Sequence, residues 1–153
     1  MSRHGYSDDF DDYLSYGRYR GQITSALRGR RGQRFLRELI NVLDAMPVKR
    51  LFAIDYDQDG LYQKVDDEHR NDLDLCRPCA LGAIANARGW EDRMDLNASE
   101  HHVIASRLDI HENLVAEVQF KNDEGWHGIM SEESRWQFMR DWAVSNLKTD
   151  LKK

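Results

Sequence analysis

Arginine dominates one stretch of the sequence. Between residues 18 and 50, nine of the chain's 22 lysines and arginines are opposed only by Glu38 and Asp44, a formal charge of +7. Guanidinium groups bind carboxylates and phosphates through paired hydrogen bonds. The stretch therefore predicts a surface for an anionic partner, either nucleic acid or an acidic protein face. The candidate binding residues are Arg20, Arg28, Arg30, Arg31, Arg34 and Arg37.

The sequence on either side of this stretch is acidic. Residues 1–17 carry one basic and four acidic residues, and residues 51–153 carry 12 basic and 21 acidic residues, so the whole chain has a net charge of −5. Gly29 and Gly32 would allow a ligand to approach the backbone between the arginines. The alternative is that the aspartates of residues 8–12 pair with Arg18 and Arg20, while the other arginines are ordinary solvated helix faces.

Three aspartates suggest a divalent-metal site. Asp55, Asp57, Asp59 and Gly60 match the first half of a calcium loop, in which alternate carboxylates surround the ion. Asp66 stands where such a loop places a bidentate glutamate, and aspartate is a shorter ligand. The alternative is an acidic turn whose side chains bond their own backbone.

The two cysteines form a C-x-x-C pair, Cys76 and Cys79. Together with His101 and His102 they could complete a zinc tetrahedron. Beside Arg77 and a helix start, a thiol of lowered pKa could serve redox or nucleophilic chemistry. The alternative is a buried helix residue. Because no third orienting group is identifiable, we predict no catalytic residue and no cofactor, and the sequence favours a protein that is not an enzyme.

Residues 103–121 have the core spacing of a helix-turn-helix, with a small alanine where the helices cross. Its second helix would offer Glu112 and Glu117 to DNA, and phosphates repel carboxylates. Asp109 also occupies the turn position where glycine is usual. A nucleic-acid-binding regulatory protein that uses this pair or the arginine-rich hairpin is therefore the alternative function, and a helical pair used for packing is the simpler interpretation.

Apolar periodicity predicts a mainly α protein with about six helices. The first two form a hairpin, running from Arg18 to near Gly29 and on to Met46, where Pro47 stops the second. The others are expected at about residues 79–88, 99–107, 111–122 and 131–147. Residues 49–65 suggest a small β-hairpin.

Length and composition indicate a single domain. The chain has 153 residues, of which 41% are hydrophobic, enough for one core. We expect an acidic, mobile arm at residues 1–17 and one helical domain at residues 18–153. No apolar run reaches the roughly 18 to 20 residues of a membrane helix, and the first ten residues are polar. With only two cysteines, the expected compartment is the cytoplasm and no membrane partner is predicted.

Several motifs resemble an uncharacterised family of small proteins encoded by tailed bacteriophages and prophages. The most specific is the arginine-glycine block RG-x-RGQ-x-FLREL at residues 28–39. The others are R-x-RG at 18–21, LDAMP-x-KRL at 43–51, CALGA at 79–83, NDEG at 122–125, and Arg135-Trp136 with Trp142. Relative to that family, residues 61–78 look like a loop insertion. The family has no assigned activity.

The resemblance implies a phage accessory protein in the cytoplasm of a bacterial host. Small non-enzymatic phage proteins often bind and block host machinery. The expected function is therefore to bind and modulate a host or defence complex through the arginine-rich surface, including an anti-defence role of the anti-CRISPR type. The sequence leaves the oligomeric state open.

Overall fold

The structure is a computed structural model and describes residues 13–52, 78–90, 101–124 and 131–149. Within those ranges the chain forms six helices and no strand, which confirms the mainly α prediction. The helices are α1 (Tyr13–Arg28), α2 (Arg30–Ala45), α3 (Ala80–Ala87), α4 (His101–Leu108), α5 (Glu112–Glu124) and α6 (Glu132–Ser145). Of the suggested β-hairpin, residues 49–52 are described and are not in a strand.

Helix α1 begins five residues before the predicted start at Arg18. The prediction placed the boundary where the charge changes from acidic to basic, so residues 13–17 were assigned to the arm. The helix instead continues through Gly17, which has open space around it. The other residues of the predicted arm, 1–12, lie outside the described residues.

Local signals mark a boundary of α2, α3 and α6 as the sequence predicts. Helix α2 stops with Met46 in an extended conformation before Pro47, because proline disfavours helical geometry in the preceding residue. Ser131 caps α6 by accepting a hydrogen bond from the Ser134 N–H at 3.1 Å. Gly89 follows α3 with a φ of +69°, the left-handed conformation that glycine adopts without strain.

Helix α5 is the centre of the fold. It contacts α1, α3, α4 and α6, whereas α2 contacts α1, α3 and α6. Because α5 has neighbours on several sides, Leu114, Val115 and Val118 are all completely buried. On α2 the buried side chains recur at three- and four-residue spacing and form its contribution to the core: Phe35, Leu36, Leu39 and Leu43.

Phe52 and Pro78, which flank residues 53–77, lie next to each other in the described core. The Phe52 N–H donates to the Pro78 carbonyl oxygen at 3.2 Å. The buried Asn122 side chain donates to the Phe52 carbonyl at 2.9 Å and accepts from the Ala80 N–H at 3.1 Å. The two ends of residues 53–77 are therefore fixed side by side by groups outside that segment. Most of the predicted insertion, residues 61–77, lies outside the described residues.

Candidate functional site

The α1–α2 hairpin carries all six candidate arginines. Arg20 and Arg28 lie on α1, and the other four lie on α2. One residue, Gly29, separates the helices. Gly32 faces α1 so closely that a Cβ atom there would lie 1.9 Å from the Ala26 carbonyl oxygen. Gly32 is thus needed for contact between the helices, and the proposed approach of a ligand at this glycine is not available.

Arg20 forms an ion pair with a buried glutamate of α5. Its Nη1 lies 2.7 Å from Glu117 Oε1, and the Glu117 side chain is only 2% exposed. Although partial burial opposes it, the hydrogen bond and charge of Glu117 raise the pKa of Arg20. Burial, with the nearby Glu117 charge, also raises the pKa of Tyr19 to about 12. Arg20 therefore compensates a buried carboxylate between α1 and α5.

Arg31 and Arg34 share one carboxylate. Arg31 Nη1 lies 3.2 Å from Asp109 Oδ1, and Arg34 donates to Asp109 Oδ2. Asp109 has a φ of 54° in the turn between α4 and α5, and the two guanidinium groups lower the pKa of its carboxyl. Because two cations meet one anion, this cluster keeps a net charge of +1. All three side chains are more than half exposed, so each pair contributes little to stability.

Arg28, Arg30 and Arg37 are exposed, and none of them forms an ion pair within the part of the chain that the structure describes. We call these three residues the arginine surface. Arg30 and Arg37 are seven residues apart on α2, which places them on one face about 10 Å apart along the axis. Arg28 ends α1 immediately before the connecting glycine. Half of the predicted set is thus available to an external anion.

The acidic residues inside the basic stretch do not neutralise it. Glu38 receives two hydrogen bonds from Arg88, at 2.6 and 2.7 Å. Asp44 receives two from Arg140, at 2.6 and 3.1 Å, and these lower its pKa. Both partners lie outside residues 18–50, so these carboxylates fasten α2 to the chain around α3 and to α6. The positive charge of the arginine surface is left uncompensated by its own segment.

Cys79 does not have the properties of a reactive thiol. Its Sγ accepts a hydrogen bond from the Gly82 N–H at 3.3 Å and caps α3. The helix start was expected to lower the pKa, but burial outweighs it and raises the pKa to about 11. The thiol is thus protonated at neutral pH, whereas nucleophilic chemistry needs the thiolate. Cys76 lies outside the described residues.

The predicted metal ligands are only partly described. His101 is buried and its Nε2 is hydrogen-bonded to the Gln119 side-chain oxygen. Among the described residues, no group of three His, Cys, Asp or Glu side chains could hold a metal ion. Asp55, Asp57 and Asp59 lie outside the described residues, so the calcium-loop hypothesis stays a prediction.

The helix-turn-helix-like pair corresponds to α4 and α5. Its turn has the expected left-handed residue, supplied by Asp109. The second helix, however, is the central helix of the fold, and residues 114–119 are all buried. His111 and Glu112, at the start of this helix, are exposed, and the Glu112 carboxylate would be repelled by DNA phosphates. The structure therefore agrees with a pair used for packing, and the DNA-reading alternative for residues 103–121 stays a prediction.

Sequence reasoning missed the partners of three arginines. The sequence suggested the aspartates of residues 8–12 for Arg20 and solvated helix faces for Arg31 and Arg34. The observed acceptors are Glu117 and Asp109, which are 75 to 97 positions away from the arginines they bind. The aspartate at a turn position where glycine is usual was the one local signal at Asp109, which has a φ of 54°. Nothing in the local pattern marks Glu117.

Comparison of the chain with protein-family models, with curated proteins and with solved structures gave no match. The resemblance to the phage family accordingly stays a prediction. Among the described helices, none combines the length and the apolar character that a membrane span requires.

Proposed function

We propose that this protein acts by binding, and that the arginine surface engages an acidic face of a partner protein. The carrying observation is that Arg28, Arg30 and Arg37 are exposed and outside the ion pairs of the described residues, while Glu38 and Asp44 are bound elsewhere. Arginine suits this role because its planar donors match carboxylates in geometry. The phage-like motifs make a bacterial host or defence complex the partner to search for.

The charge distribution favours a protein over nucleic acid. Nucleic-acid affinity depends on the number of phosphates that the protein neutralises. Here Arg20, Arg31 and Arg34 are engaged by carboxylates, and the chain as a whole carries −5. The remaining cations can contact few phosphates, and the net charge of the chain opposes a polyanion. A discrete acidic patch needs only a few well-placed arginines.

The test compares wild-type protein with the triple variant Arg28→Glu/Arg30→Glu/Arg37→Glu. Each protein is immobilised and exposed to bacterial host extract near physiological salt, and bound complexes are identified by mass spectrometry. We expect a specific complex to be retained by the wild type and lost by the triple variant. Lys148→Glu, which reverses an exposed cation beyond α6, is the control and should retain it. Equal retention by the triple variant would contradict the proposal.

Nucleic acid is tested separately with a 30-base-pair duplex and a single strand of equal length. We expect no binding near physiological salt. Tight binding that weakens steeply as salt rises would indicate phosphate contacts and would replace the proposed partner with nucleic acid.

A further inference from the structure

A groove of about 780 Å³ lies beside the arginine surface. One wall consists of α2 and the turn that follows it. The other consists of α3 and Pro78, which precedes α3 by two residues. Its apolar lining consists mainly of Val42, Ala45, Met46, Val48, Ala83 and Ala87. Ala45, Val48 and Ala87 are exposed, and Val48 keeps 52% of its surface. The two walls therefore form an apolar surface that the described core does not cover.

The charge in this groove is uneven. Arg34, Arg37 and Glu38 line it on the N-terminal side of α2. Glu38 is compensated by Arg88, and Arg34 is bound to Asp109. Among the charged lining residues, Arg37 is the one without an ion-pair partner in the described part of the chain. The walls further along α2 carry no charged side chain among the lining residues, so the groove is cationic at one end and apolar at the other.

We infer that the groove binds an amphipathic helix of the partner, with acidic residues placed at Arg37 and apolar residues along Ala45 and Val48. This inference rests on the proposed function and identifies the element that the partner would supply. The length agrees: from Arg34 to Ala45 the lining runs about 16 Å along α2, which matches three turns of a second helix. Helices that dock in this way use apolar residues at three- and four-residue spacing.

The probe is a fluorescent 15-residue peptide with two glutamates in its first turn and leucines at three- and four-residue spacing. Its control has lysines in place of the glutamates. Binding is measured by anisotropy and by methyl NMR spectra of the full chain. We expect the acidic peptide to bind at least tenfold more tightly than the basic one, and to shift the methyl signals of Val42, Ala45, Ala83 and Ala87. Shifts confined to other regions, or none, would overturn the inference.

Two polar substitutions test the walls. Ala45→Gln/Ala87→Gln places bulky, helix-compatible groups at exposed positions of the groove and should weaken the acidic peptide at least fivefold. The control is Val144→Gln, which replaces an apolar side chain on α6 that is 44% exposed. It should leave the affinity for the acidic peptide unchanged. Equal effects of the two proteins would show non-specific apolar binding and would overturn the inference.

The same variants separate this inference from the proposed function. If the host complex is lost with the triple arginine variant but kept by Ala45→Gln/Ala87→Gln, the groove inference fails and the arginine surface stands. If both variants keep the complex, both proposals fail. If both lose it while circular dichroism shows folded protein, the groove and the arginine surface act on one partner.

Discussion

Gly32 should be far less replaceable than the two glycines of α1, Gly17 and Gly21. It lies in the first turn of α2, where the helix crosses the end of α1. An added Cβ atom would be 1.9 Å from the Ala26 carbonyl oxygen, 2.8 Å from its carbonyl carbon and 3.0 Å from Leu27 Cα. All three atoms belong to the backbone of α1, so rotation of a side chain cannot relieve the clash. Gly32→Ala must therefore move one helix against the other.

The size of the effect follows from two opposing contributions. Alanine favours a helix over glycine by about 1 kcal/mol. Against this, reaching an ordinary contact requires a shift of about 1.5 Å between two packed backbones, and overpacking of a close-packed interior costs about 1–3 kcal/mol or more. The shift also disturbs Gln33, whose side chain donates to the Leu27 and Asn146 carbonyls at 2.8 and 3.0 Å. The first two contributions leave a loss of up to about 2 kcal/mol, and weakening the Gln33 hydrogen bonds adds about 1 kcal/mol. We therefore expect a net loss of about 1–3 kcal/mol, or a fall in Tm of about 2–12 °C.

Urea and thermal unfolding followed by circular dichroism measure this loss. The matched controls are Gly17→Ala and Gly21→Ala on the exposed face of α1, where an added Cβ meets nothing within 4 Å. Those variants should gain about 0.5–1 kcal/mol, because only the helix preference of alanine remains. A Gly32→Ala protein as stable as these controls would refute the argument that the close crossing requires glycine.

Three further predictions concern the core and the chain connection. Burial lowers the pKa of His101 below 6.5 despite its hydrogen bond to Gln119; the folded state then binds fewer protons than the unfolded state, so the free energy of unfolding should fall as pH drops below about 6.5. Urea midpoints between pH 5 and 8 should show this, and His101→Gln should flatten the curve. Arg20→Ala leaves Glu117 buried without its partner and should lower the free energy of unfolding by about 2–4 kcal/mol. Adding Glu117→Gln should recover part of that loss. Additive losses in the double-mutant cycle would contradict the coupling of the two residues. Replacing residues 53–77 with a short Gly-Ser linker should preserve the helical spectrum and cooperative unfolding, because the ends are already held together and closing a shorter loop costs less entropy; loss of cooperative unfolding would show that the segment is part of the core.

The helices were predictable because their ends are marked locally. Pro47, Gly89 and Ser131 each impose a backbone or capping requirement that acts within a few residues, so α2, α3 and α6 end or begin where the sequence predicts. Helix α1 was placed five residues late because a charge boundary is no barrier to helix formation. The charge pattern of residues 13–17 says nothing of their backbone hydrogen bonds.

The candidate site was only half predictable. Composition identified the basic stretch, but which arginines remain unpaired depends on carboxylates brought together by the fold. Glu117 is a clear case: it lies on the central helix, is 1% exposed, and is paired with Arg20, 97 positions away in the sequence. Pairing across such separations leaves no mark in a single sequence.

The paired and unpaired arginines should therefore be treated differently in experiments. Replacing Arg20 leaves a buried carboxylate without its partner, and replacing Arg34 removes an ion pair to Asp109, so lost binding by either variant would not by itself identify a contact with the partner protein. Arg28, Arg30 and Arg37 have no such role among the described residues, since Glu38 and Asp44 hold α2 in place through Arg88 and Arg140. Charge reversal at those three positions should change binding while leaving the free energy of unfolding within about 1.5 kcal/mol of wild type, about 0.5 kcal/mol for each substitution. A binding loss accompanied by a large loss of stability would remove the distinction on which the proposed interface rests.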